Sequence, residues 1–132
     1  GALAHTKDIK DRMEEVFDYF PILPEHLHRK GGVLSGGQQQ QLAIARALMS
    51  HPKTLLLDEP TEGIQPNVVA EIGNILKRIH TAMQIPIVIV EQNLKFAKKL
   101  ADRFIVIQKG EIVAGGATEE LTDEVIHRYL TV

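Results

Sequence analysis

Cysteine is absent from all 132 residues, which excludes a disulfide framework and any thiolate metal site. A membrane-crossing stretch is also missing. The longest apolar run, residues 85–90, is far too short to span a bilayer and is broken by Pro86. No secretory leader pattern opens the chain. Neither charge dominates: 15 Lys and Arg stand against 17 Asp and Glu, for a formal net charge of −2, and the basic residues are dispersed. A nucleic-acid partner or an anionic membrane surface is therefore not expected. Nowhere is there a Gly-x-x-x-x-Gly-Lys-Ser/Thr loop, the arrangement in which backbone amides and a lysine cradle a nucleotide's phosphates. What is present is the apolar content of an ordinary domain, 44% hydrophobic, enough for a real core. A cysteine-free chain of this kind suits the cytosol.

Apolar spacing predicts the elements. Ile9, Met13, Val16, Phe17 and Phe20 recur at helical intervals, so residues 7–19 read as an amphipathic helix ended by Pro21 and Pro24. Residues 21–33 read as a loop with room for one short turn. A second helix follows Ser35 and runs to Met49, where His51-Pro52 stops it. Residues 54–57 form a short buried strand. Pro66 suits the first position of a third helix, with Val69, Ile72, Ile75, Leu76 and Ile79 as its inward stripe. Residues 86–90 are a β-branched strand and 94–100 a short helix. Residues 103–108 and 111–114 make a hairpin around Lys109-Gly110, and 118–129 a last helix. Alternating strands and helices imply an α/β fold with a parallel sheet and right-handed crossovers. The strandless first forty residues should form a separate helical layer.

Two stretches carry chemistry. In Ser35-Gly36-Gly37-Gln38, Ser35 and Gln38 have the spacing of a capping box, a purely structural device. The capping box leaves the glycines unexplained, since each costs a helix roughly 1 kcal/mol relative to alanine. Two glycines suit a place where a ligand or another backbone must come close to the amides, and a helix start with bare N–H groups attracts anions. In Leu55-Leu56-Leu57-Asp58-Glu59, an apolar strand ends on adjacent carboxylates, at the sheet end where open α/β folds bind ligands. A divalent cation would relieve their mutual repulsion. The plain alternative is an acidic turn before Pro60.

Taken together, Leu34-Ser35-Gly36-Gly37-Gln38 and Leu55-Leu56-Leu57-Asp58-Glu59 resemble the signature and Walker B motifs of ABC-type ATPases. The resemblance implies a P-loop NTPase fold, of which this chain is the C-terminal part. A helical subdomain would occupy 1–50, and a partial RecA-like parallel sheet 51–132. It implies that Ser35, Gly36, Gly37 and Gln38 contact ATP held by a second ATPase subunit in a head-to-tail dimer. It implies that Asp58 holds Mg²⁺ through water, and that Glu59 orients and deprotonates the attacking water. Gly63, Ile64 and Gln65 fall at the D-loop, where the family usually has an Asp in place of Gln65. Gln92 stands at the switch position that the family usually fills with histidine. It can donate a hydrogen bond but carries no proton for catalysis.

Val90-Glu91-Gln92-Asn93 resembles the switch segment of ATPases from branched-chain amino acid importers. The glutamines at 38–41 and the segment 59–66 look more like the urea and short-amide branch. Such a subunit would lie on the cytoplasmic face of the membrane. Its partners would be permease subunits, docked against residues 14–30, and indirectly a solute-binding protein. Without a phosphate loop, the chain alone should neither bind ATP tightly nor hydrolyse it. A sheet without its preceding strands should expose apolar surface and an open edge. Two rivals share the motifs: a non-transport ABC ATPase of DNA repair or translation, and a truncated module lending its signature in trans. A switch histidine or a coiled-coil insertion would mark the first, and the upstream gene sequence separates the second. Asn93 reads as an N-cap. His26, His28, His51, His80 and His127 lack a carboxylate or thiolate at metal-ligand spacing and read as surface residues.

Overall fold

The computed structural model describes residues 2–130, with side chains from residue 8 onward. The chain divides into two compact units, 1–92 and 93–132. The first contains helix α1 (Ala2–Tyr19), 3₁₀ turns at Pro24–His26 and Gly31–Val33, helix α2 (Gly36–Leu48), strand β1 (Leu55–Asp58), helix α3 (Pro66–Met83) and strand β2 (Ile87–Val90). The second contains helix α4 (Leu94–Leu100), strands β3 (Arg103–Gln108) and β4 (Glu111–Ala117), a 3₁₀ turn at Thr118–Glu120 and helix α5 (Asp123–Tyr129).

In the first unit α1, α2 and α3 pack on one another. Phe20, Ile44, Leu48, Ile72, Leu76 and Ile79 are the large side chains sealed from solvent there. The α3 stripe lies inward as its spacing predicts, with Val69 half-buried. Pro66 takes the first position and Gln84 closes the helix with a left-handed residue at φ 53°. In α1 the expectation needs correcting: Ile9 is exposed, and the inward face is carried by Arg12, Val16, Tyr19 and Phe20. Arg12 is buried because its guanidinium has acceptors. It donates to Met49 O at 3.4 Å and to Nδ1 of His51, tying α1 to the end of α2. At the other end of α1, the Arg78 guanidinium lies 5.5 Å from the Tyr19 ring centre and donates to Asp18 O. Burial, with Glu15 beside it, holds the Tyr19 phenol above its ordinary pKa, and Arg78 opposes that shift.

β1 and β2 run parallel, with Leu55 opposite Ile87 and Asp58 opposite Val90. Residues 54–57, expected to be a short buried strand, form one that is covered on a single face. Leu55 and Leu57 are buried, whereas Leu56 is 72% exposed, and Val88 and Val90 beside it are 50% and 59% exposed. Strand side chains alternate, so Leu56, Asp58, Val88 and Val90 share the open face. This bears out the expected apolar exposure and leads to a prediction. The chain should self-associate with rising concentration in light scattering, and Leu56→Lys should suppress it. A monomer at every concentration would show that the face is harmless.

In the second unit β3 and β4 form the expected hairpin. Lys109 (φ 51°) and Gly110 (φ 83°) both take positive φ, as a two-residue turn between right-twisted strands requires. β4 runs three residues further than the expected limit at 114, and a register shift between Val106 and Ile107 leaves one extra residue on it. The helix expected over 118–129 is interrupted. Buried Thr118 donates its hydroxyl to Ala101 O at 2.6 Å, and only a 3₁₀ turn follows. Thr122 then caps α5 by accepting from Val125 N. Asn93 caps α4, its Oδ1 accepting from Phe96 N at 3.1 Å, as read from sequence.

Candidate functional site

The glycine-rich helix start is built as a true capping box. Ser35 Oγ accepts from Gln38 N at 3.3 Å, and Gln38 Oε1 accepts from Ser35 N at 3.0 Å. The two glycines then part company. A methyl group on Gly37 would stand 2.5 Å from Val68 Cγ1 and 3.5 Å from Ile64 Cγ2, so Gly37 is glycine because the start of α3 packs on it. A methyl on Gly36 would meet nothing within 4 Å. Of the four candidate contact residues, Ser35 and Gly36 are exposed, Gln38 is half-buried and Gly37 is buried. The Ser35 amide is taken by Gln38, so the open amide that could receive an anion at this exposed step is that of Gly36, with the Ser35 hydroxyl beside it.

Asp58 and Glu59 end β1 as expected. Asp58 is exposed on the open sheet face. Glu59 leaves the strand with φ 44°, in the left-handed region that a side-chain-bearing residue adopts at a cost of about 1–3 kcal/mol. Its amide still reaches Val90 O at 2.8 Å, so the turn away from the sheet happens within one residue. Gln92, just beyond β2, donates from Nε2 to Glu59 Oε1. The switch-position glutamine and the proposed base, 33 residues apart, thus touch.

A bracing contact that the sequence did not single out holds this arrangement. Buried Thr61 donates its hydroxyl to Glu91 Oε2 at 2.7 Å, and Glu91 Oε1 accepts from Gln92 N at 2.9 Å. One carboxylate therefore ties the loop after β1 to the segment after β2. Downstream, Gly63 takes φ 67°, a conformation suited to glycine, and Ile64 lies half-buried against the Gly37 turn. Gln65 is the exposed residue before Pro66, and its carbonyl accepts from Val68 N and Val69 N, both at 3.0 Å.

Of the histidines expected at the surface, His28, His51, His80 and His127 are exposed and His26 is half-buried. His51 is bonded to Arg12, His80 Nδ1 to Ile85 O at 2.8 Å, and His26 Nε2 to Gln38 at 3.1 Å. Among the described residues no three His, Asp or Glu side chains cluster closely enough to cage a metal. The Asp58 carboxylate nevertheless fits magnesium, which takes one or two protein carboxylates and fills its remaining positions with water and phosphate oxygens. Also among the described residues, no helix is long and apolar enough to cross a membrane.

Comparison with known proteins follows the same lines. The ABC transporter family model matches residues 3–62. The high-affinity branched-chain amino acid transport ATP-binding protein BraG of Pseudomonas aeruginosa is 42% identical over 86% of this chain and 48% of its own length. The probable branched-chain amino acid transport ATP-binding protein LivF of Archaeoglobus fulgidus is 33% identical over 89% of the chain and 50% of its own. The crystal structure of MJ1267, an ATP-binding cassette of an ABC transporter in its ADP conformation, superposes with a TM-score of 0.79. It is 27% identical and matches 95% of this chain and 51% of that one. The chain spans about half the length of the curated relatives it matches. Motifs, fold and relatives agree: the chain is part of an ABC transporter ATP-binding domain, close to those of branched-chain amino acid transporters.

Proposed function

We propose that the chain contributes the signature and Walker B elements of a transport-coupled ATPase subunit that powers uptake of a small organic solute. The observation that carries this reading is the bond from Gln92 to Glu59, which joins the residue after β2 to the carboxylate after β1. Asp58 would hold magnesium, which supplies charge neutralisation to the phosphates when bound. Glu59 takes a proton from the attacking water at its carboxylate. Gln92 keeps Oε1 occupied, so the proton is received at Oε2. Gly36 presents its amide and Ser35 its hydroxyl to the γ-phosphate of ATP bound by a second subunit, and the Gly63–Gln65 loop lies at that dimer contact. The names of the relatives favour branched-chain amino acids as solute, while the residues at 38–41 and 59–66 favour urea or short amides. Permease subunits would dock on residues 14–30 at the cytoplasmic face of the membrane, with a solute-binding protein beyond them. Division into a helical subdomain over 1–50 and an ATPase core over 51–132 belongs to the same reading.

Two outcomes are expected. The 132-residue chain alone, which has no phosphate loop, should show no ATP turnover above background in a phosphate-release assay. Head-to-tail sharing is tested by mixing two dead variants of the complete subunit, Gly36→Arg and Glu59→Gln. Mixed dimers then hold one site whose base and signature are both intact. About half of randomly paired dimers are mixed, so about a quarter of wild-type turnover should return. No recovery would show that the motif serves its own subunit.

A further inference from the structure

Gln38 has two amide ends, and both are used. Its Oε1 accepts from Ser35 N at 3.0 Å, which leaves Nε2 pointing the other way. There it lies 3.1 Å from Nε2 of His26. An amide nitrogen can only donate, so the imidazole Nε2 must accept, and the ring proton must sit on Nδ1. That Nδ1 is buried and has no hydrogen-bond partner. A buried unpaired N–H is unfavourable. The other tautomer would be worse placed, since it would set an N–H against the Gln38 amide group or force that amide to flip. A flipped amide would put NH₂ against the Ser35 N–H and undo the capping box. The backbone keeps the ring where it is: His26 N donates to Leu23 O at 3.0 Å, Arg29 N donates to His26 O at 2.9 Å, and Leu23 is in the core.

We propose that His26 is a positioning residue for the Ser35–Gln38 motif, fixing the Gln38 amide by accepting from its Nε2 so that the helix start stays capped with the Ser35-Gly36 step turned outward. The functional weight of this role rests on the reading of that motif as a phosphate site. The structural half does not, and it is tested first. In the full chain, nitrogen-15 spectra of the imidazole should show His26 as the Nδ1–H tautomer. His26→Leu should speed hydrogen exchange at Ser35 N about fivefold to tenfold, the scale of one hydrogen bond. His26→Gln, whose Oε1 can accept, should restore it. An Nε2–H tautomer in the wild-type chain, which needs no variant to fold, would overturn the proposal. So would Ser35 exchange that ignores His26→Leu. In the complete subunit, His26→Leu should raise KM for ATP severalfold with kcat little changed, and His26→Gln should return it to normal. The expected spectra together with an unmoved KM would uphold the grip of His26 on Gln38 and overturn the phosphate reading instead.

Discussion

Glu59→Gln in the complete ATPase subunit should lower ATP turnover by about 10²–10⁴-fold, the range general-base catalysis supplies, while ATP binding is retained. The substitution is nearly isosteric, and only the capacity to take a proton disappears. Two features of the structure make the loss specific. Glu59 sits at φ 44°, a position at which glutamine is strained no more than glutamate, so the backbone should not relax on substitution. Gln92 Nε2 donates to Glu59 Oε1, and a glutamine at 59 can still accept there, so the contact between the two strand ends survives. Single-turnover measurement at saturating ATP separates chemistry from binding. Turnover within threefold of wild type would remove Glu59 from the role of base and leave it as a turn residue.

Alanine at the two glycines of the helix start should act in opposite directions. At Gly37 the new methyl lands 2.5 Å from Val68 Cγ1, and Val68, β-branched on a helix, has little freedom to turn away. Overpacking of this kind costs about 1–3 kcal/mol, more than the roughly 1 kcal/mol that alanine returns in helix propensity. The midpoint of urea unfolding should fall. At Gly36 nothing lies within 4 Å, so alanine meets no clash and the helix gains a few tenths to about 1 kcal/mol. Stability should rise there while activity of the complete dimer drops, because the methyl stands beside the Gly36 amide offered to phosphate. Equal destabilisation by both variants would contradict the geometry, and undiminished activity in Gly36→Ala would contradict the phosphate role.

The sequence made the local devices legible. A stripe at 72, 75, 76 and 79, a serine three residues before a glutamine, and Lys-Gly between two strands each encode their structure within a few residues. The structure has the corresponding helix, capping box and hairpin. Failures came where the answer depends on distant partners. Ile9 fits the periodicity of α1, but Arg12 and not Ile9 takes the inward place, because Met49 and His51 offer it acceptors. Leu56 belongs to an apolar run and still points outward, since a run of leucines does not reveal which faces of a strand are covered. Thr118 looked like a helix start, yet its hydroxyl is taken by Ala101 and the helix waits for Thr122. In the candidate site, the motif residues were visible as words. The residues that hold them, Glu91 through Thr61 and His26 through Gln38, carry no local signal. Only the fold brings them together.

The alternation along β1 links two matters usually treated apart. Asp58 projects from the same face as Leu56, with Val88 and Val90 beside them. Any surface laid over that apolar patch also strips water from the carboxylate. Stripping it without compensation costs several kcal/mol, which subtracts from what the apolar contact returns. A cover that brings a cation or hydrogen-bond donors to Asp58 meets no such penalty. Assembly on this face and cation binding at Asp58 are therefore thermodynamically coupled: whatever favours one favours the other by the same free energy.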